Sequence, residues 1–332
     1  SRNREDLHHE LLWRQHRLLL RREQRTGANL VSRWRSGVAL VLLAAAAAGV
    51  SGCASSGETR GGSQSTVLVT STTFVHANEL PPAEPEPEPD LPNNGSVQML
   101  VDAAVSAATS RHPGMLGVAT ATADGVLSSG FHEPSPAWST IKVPIAIAAL
   151  RVDPSMYPDA TVAITASDND AAQRLYAQAG ADAVNAVLSE MGLATAVNTA
   201  PIRPEFSTFG QTLLSVSDEA TMAGQLACVV GAAPVVALMG QVDPVQAYGL
   251  GAVGAGDGAQ AAFKGGWGPD PTGSYHVRQF GLVPRGDGSV AAVALTAVPA
   301  DGTYQTGQAM LTAAADVLAR QAGVLPAAPC QP

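Results

Sequence analysis

The sequence predicts a mixed α/β (α+β) domain built on one sheet whose first strands pair with its last. Three observations predict it. Two strand patterns come early, helical patterns fill the middle, and three strand patterns come late before a closing Ala-rich helix. A chain that returns in this way to strands left unpaired at its start closes a single sheet with helices packed on it.

The elements follow in order. Met99, Leu100, Ala103, Ala104 and Ala107 recur at helical spacing and predict a helix over Val97 to Arg111. The apolar run from Gly114 to Thr122, the turn residues Ala123-Asp124-Gly125 and the run Val126 to Ser129 predict a hairpin. Helical patterns occupy about 139–150, 168–179, 181–191, 215–229 and 232–240. Strands are predicted over Ala259 to Lys264, Tyr275 to Val283 and Ser289 to Val298, and a last helix over Tyr304 to Ala322. No internal repeat is found.

This unit, 96–325, is only part of the 332 residues. Residues 53–95 are Ser/Thr/Gly-rich and then alternate Pro and Glu from Pro81 to Asp90, a composition that buries little apolar surface and prefers extended, self-repelling chain. They are expected to form a disordered linker. Upstream, Arg33-Trp34-Arg35, an apolar stretch from Val38 to Val50 and the small residues Ser51-Gly52 have the parts of an export signal over 31–52. Val50-Ser51-Gly52-Cys53 resembles the lipobox of bacterial lipoproteins, which implies acylation of Cys53 and a lipid anchor on the outer face of the bacterial cell membrane. A short uncleaved anchor helix is the competing reading. Residues 1–30, rich in Arg, Glu and Leu, fit neither picture and are read as a non-native extension. Residues 326–332 form a Pro-containing tail.

Charge narrows the function classes. Residues 1–52 hold 9 of the 19 Lys+Arg and only 4 of the 28 Asp+Glu, so the chain from Cys53 onward is strongly acidic. Such a field repels phosphate backbones, and no nucleic-acid partner is expected. The seven histidines show no metal-ligand spacing, so no metal or other cofactor is expected either. For the cysteines beyond Cys53 two readings stand. Cys228 and Cys330 form a disulfide that clamps the tail, as an oxidising location permits, or Cys228 is a small core hydrophobe and Cys330 is free.

Lysine usage points to the chemistry. Only Lys142 and Lys264 occur, against 17 arginines. A buried ammonium shifts its pKa and serves as a base, whereas guanidinium stays charged. In Ser139-Thr140-Ile141-Lys142 the i, i+3 spacing at a helix start places the hydroxyl and the amine on one face, giving a weak nucleophile an adjacent base. Pro144 complicates the helix by removing a donor. Ser167-Asp168-Asn169 follows downstream, and Lys264-Gly265-Gly266 comes at the end of a predicted strand.

S-x-x-K, S-D-N and K-T-G together are the signature of class A β-lactamases and penicillin-binding proteins, and the chain carries the first two complete and the third as the near match Lys264-Gly265-Gly266, in the same order. The sequence resembles that family over most of 96–325, including Ser167 to Leu175. The resemblance implies a five-stranded antiparallel sheet flanked by helices and a reduced helical subdomain, since only 24 residues separate Lys142 from Ser167. It implies Ser139 as acylated nucleophile, Lys142 as its proton acceptor, Ser167 as proton relay, Asn169 as holder of the substrate amide and Lys142, and Lys264 as attractor of a substrate carboxylate. The N–H groups of Ser139 and Trp267 would form the oxyanion hole, with Gly266 beside them. The substrate would be a β-lactam or a D-Ala-D-Ala-like cell-wall peptide, handled by a monomer.

Two departures qualify this. Gly265 stands where the third motif usually carries Thr or Ser. The loop pattern E-x-x-L-N that supplies a deacylating Glu is matched only by Glu205, with Thr208 and Phe209 in place of Leu and Asn. Among other residues, Arg278 is a candidate second anchor for an anionic substrate or a sheet-face ion pair. His276 reads as a strand histidine near the pocket. Trp138 and Trp267 flank two motifs. The competing function class is a cell-envelope binding protein that has kept the fold without catalysis.

Overall fold

The computed structural model describes residues 94–254 and 258–332. The expectations for 1–30, for the 31–52 signal, for Cys53 and for most of the 53–95 linker lie outside the described residues.

Helix α1 (Asn94–Arg111) leads into the hairpin β1 (Gly114–Thr122) and β2 (Gly125–Gly130). A two-residue strand β3 (Ser135–Pro136), a 3₁₀ turn (Trp138–Ile141) and helix α2 (Lys142–Val152) follow. Then come α3 (Tyr157–Thr165), α4 (Asn169–Glu190), β4 (Leu213–Leu214), α5 (Val216–Gln225) and α6 (Ala233–Met239). Strands β5 (Ala262–Pro269), β6 (Tyr275–Pro284) and β7 (Val290–Pro299) and helix α7 (Tyr304–Arg320) complete the domain. The five long strands form one antiparallel sheet in the order β2-β1-β7-β6-β5, so the early hairpin does pair with the last strand.

Both faces of the sheet are covered, which is why β7 reads as an almost unbroken apolar run. Ala292, Ala294, Phe280 and Leu282 face a core shared with α2, α4 and α5. Their alternating neighbours Val293, Leu295, Val277 and Val283 face a second core shared with α1 and α7. Caps fix the helix starts: the Asp168 carboxylate accepts from Ala171 N at 2.7 Å, and Ser215 and Asp218 form a reciprocal capping box on α5.

Two differences from the sequence reading have physical causes, and two expectations are met. Helix α3 was not expected: Pro158 looks like a breaker, but it sits in the first helical turn, where its missing N–H costs nothing. The predicted break between 168–179 and 181–191 is present inside α4, at Gly180, whose φ of +75° and ψ of 162° are not helical. Strand β5 begins later than predicted and continues to Pro269, so Lys264 lies inside the strand and not at its end; Gly266 and Gly268 in its second half are sites of close approach by the segment 137–139. Of the two readings of the later cysteines, the clamp on the tail holds. Cys228 and Cys330 are disulfide-bonded with Cα atoms 5.5 Å apart, and Ala328 N donates to Val290 O at 2.7 Å.

Candidate active site

The chain from β3 enters the 3₁₀ turn through Ala137, and Ser139 occupies the second position of that turn. Helix α2 starts at Lys142, so Pro144 falls within the first helical turn, where no intrahelical donor is needed. The residue before the nucleophile, Trp138, holds φ at +52°, a left-handed conformation rare for a bulky side chain. Its indole lies on strand β5, and a Cβ at Gly268 would come within 2.6–2.7 Å of the ring. A Cβ at Gly266 would come 2.6 Å from Ala137 O and 3.0 Å from Ser139 N. These two glycines let β5 run directly against the turn that carries Ser139.

Lys142 is buried, and its amine donates to Ser167 O and to Asn169 Oδ1, each at 2.7 Å, with Ser167 Oγ at 3.4 Å. Lys264, also buried, donates to Ser167 Oγ at 3.0 Å and to Gly265 O at 2.9 Å. The Ser167 hydroxyl therefore lies between two amines from distant parts of the chain. Ser167 itself has φ +58°, a strained value for a non-glycine residue, held by the start of α4 that Asp168 caps. Burial pulls Lys142 down to about 7, against a raising effect of the Asp168 carboxylate. Burial, and then the neighbouring Lys142, also push Lys264 well below the usual lysine value.

A cleft of about 550 Å³ opens over this arrangement. Ser139, Lys142, Ser167, Asn169 and Trp267 line it. Gly266 does not; it presses on the nucleophile turn from behind. Lys264 is also absent from the cleft wall and fully buried, so it touches the site through Ser167 and offers no free ammonium to a substrate carboxylate.

Glu205 reaches the cleft wall, but as an exposed carboxylate paired with Arg203 at 3.1 Å. The loop bearing it is held from beneath by the buried Gln211, which accepts from Arg203 N and donates to Arg203 O and Ser207 O. From above, the Arg203 guanidinium lies 4.5 Å over the Phe206 ring, which meets Trp138 edge-on at 5.1 Å.

Of the two roles open to Arg278, the ion pair holds. The residue is not a substrate anchor: its side chain is fully buried, with Nε 3.0 Å from Glu219 and the remaining donors on the carbonyls of Ser135, Pro136 and Leu214. Fully buried and held by these partners, the guanidinium forms no part of the cleft wall. His276, on the same side of β6, does not line the cleft either.

Sequence reasoning missed Asp170, Gln173, Phe206 and Tyr275, all on the cleft wall. The first two continue the Ser167-Asp168-Asn169 motif onto the first two turns of α4, and that spacing was available as a signal. Tyr275 pairs with Pro269, two residues beyond Trp267, and only the hairpin register reveals it.

No protein-family model and no curated protein sequence matches the chain. Solved structures do. A class A β-lactamase from Bacteroides cellulosilyticus superposes with a TM-score of 0.56 at 14% identity, over 68% of this chain and 97% of that one. A β-lactamase from Sphaerobacter thermophilus gives 0.52 at 20% identity, over 69% and 98%. A variant of the penicillin-binding protein PBP-A, an acyl-enzyme complex with penicillin G, gives 0.52 at 22%, over 68% and 96%. The chain has the serine β-lactamase and penicillin-binding-protein fold, as the motif order implies.

Proposed function

We propose that the protein is an exported serine hydrolase, tethered through a lipid on Cys53, that is acylated at Ser139 by β-lactams or D-Ala-D-Ala-like peptides. Ser139 Oγ attacks the carbonyl carbon and its proton passes to the unprotonated amine of Lys142. The C–N bond breaks and the departing nitrogen takes a proton through Ser167, leaving an ester on Ser139. Asn169 orients Lys142, and Lys264 orients the relay hydroxyl. One observation carries this reading: the Ser167 hydroxyl sits between two buried amines, one of which begins the helix entered from Ser139.

Glu205 stands where a water-activating carboxylate would be, but its ion pair with Arg203 at the rim keeps it out of that role, so turnover is expected to be slow. The exposed Glu205, with Gly265 in the third motif, favours a second reading in which the cleft binds cell-wall material without reacting. Intact-mass measurement after incubation with benzylpenicillin separates the two. A mass increase of one penicillin mapped to Ser139 is expected; reversible binding with no adduct would overturn the acylation reading. An acylated Cys53 as the mature N-terminus, read by mass spectrometry of the native protein, tests the anchor.

A further inference from the structure

Arg278 and Glu219 form an ion pair that is fully shielded from solvent and does not touch the cleft. Such pairs are poor evidence for stability, because apolar residues of similar volume often replace them at little cost. What apolar residues cannot do is donate hydrogen bonds. Arg278 Nη1 donates to Ser135 O at 2.8 Å and to Pro136 O at 2.9 Å, and Nη2 donates to Leu214 O at 2.9 Å. Ser135 and Pro136 are strand β3, the segment that enters the nucleophile turn, and Leu214 belongs to its partner strand β4. In the backbone register Arg278 also lies opposite Gly266, the residue pressed against Ser139 N. Glu219 comes from α5, and its carboxylate neighbours the side chain of Thr140, the residue after the nucleophile.

One guanidinium thus gathers β3, β4, β6 and α5 around the turn, and the planar fork of Arg suits several fixed acceptors better than a point charge would. The same turn holds Trp138 at φ +52°, a conformation that persists only where the surroundings over-determine it.

We propose that Arg278, with Glu219 as its counter-charge, is a positioning residue that fixes the approach to Ser139 by binding the carbonyls of Ser135, Pro136 and Leu214. It rests on Ser139 being the reacting residue. The test compares the native full chain with Arg278→Met/Glu219→Leu, which removes both charges together, and with Arg278→Lys. Two quantities are read in each: amide hydrogen exchange over 135–141, and the benzylpenicillin acylation rate constant separated from the binding constant. In the folded double variant, exchange over 135–141 is expected to rise about tenfold or more. Its acylation constant is expected to fall about 10²-fold with binding unchanged. Native exchange over 135–141 in the folded double variant would overturn the proposal. If the double variant does not fold, Arg278→Lys is read in its place, and native values of both quantities there overturn it. Because exchange is measured without penicillin, a native protein that takes no penicillin counts against the function alone.

Discussion

On the floor of the cleft, Lys142, Lys264, Ser167 and Asn169 are joined by hydrogen bonds of 2.7–3.0 Å around buried amines. Across the opening, Glu205 is exposed and its ion pair is with Arg203, two residues away in the chain. The difference separates the two halves of an acyl-transfer cycle. The amines of the floor are buried and its donors are already aimed, which is the condition under which electrostatic arrangement accelerates a step. The rim is wet, and an exposed pair of this kind contributes about 0–1 kcal/mol.

Experiments on the floor should show the largest effects. Lys142→Met is expected to lower the penicillin acylation rate about 10²–10⁴-fold, the range of a lost general base; stopped-flow or quenched mass spectrometry reads it, and a native rate would break the contrast. Gly266→Ala forces a methyl against Ala137 O and Ser139 N and is expected to slow acylation about 10²–10³-fold, as when an oxyanion donor is displaced. The pH profile sharpens the comparison further. Lys142 accepts a proton only when neutral, so the acylation rate should rise with pH through about 7 and level off above it. Between about 7 and the usual lysine value of 10.5, the folded chain binds fewer protons than the unfolded one. Stability to urea should therefore rise with pH across that window. At the rim, Glu205→Gln should change the deacylation rate by no more than about fivefold, the equivalent of an exposed ion pair. A far larger drop, seen in the lifetime of the adduct, would give the rim a part equal to the floor's.

Much of the fold was legible because its strands and helices carry their periods openly. β7 is apolar on both faces and α7 shows a continuous helical pattern, and both lie close to where the sequence puts them. The scarcity of lysine led to Lys142 and Lys264, since an amine retained in an Arg-rich chain has to be explained by its chemistry. Arg278 was not legible in the same way. Its strand and its facing side follow from alternation, but its acceptors Ser135, Pro136 and Leu214 lie 143, 142 and 64 residues away, and no local pattern announces them. The end of β5 was misjudged for a related reason: Gly266 and Gly268 answer to Ser139 and Trp138, which approach from another part of the chain.

The bond between Cys228 and Cys330 spans 102 positions, and within that ring lie β5, β6, β7 and α7. A single backbone cut anywhere inside it leaves two pieces that cannot drift apart. A nick in the segment before β5, for example, would show as two bands on a reducing gel and one on a non-reducing gel, with the strand bearing Lys264 still fastened to the rest.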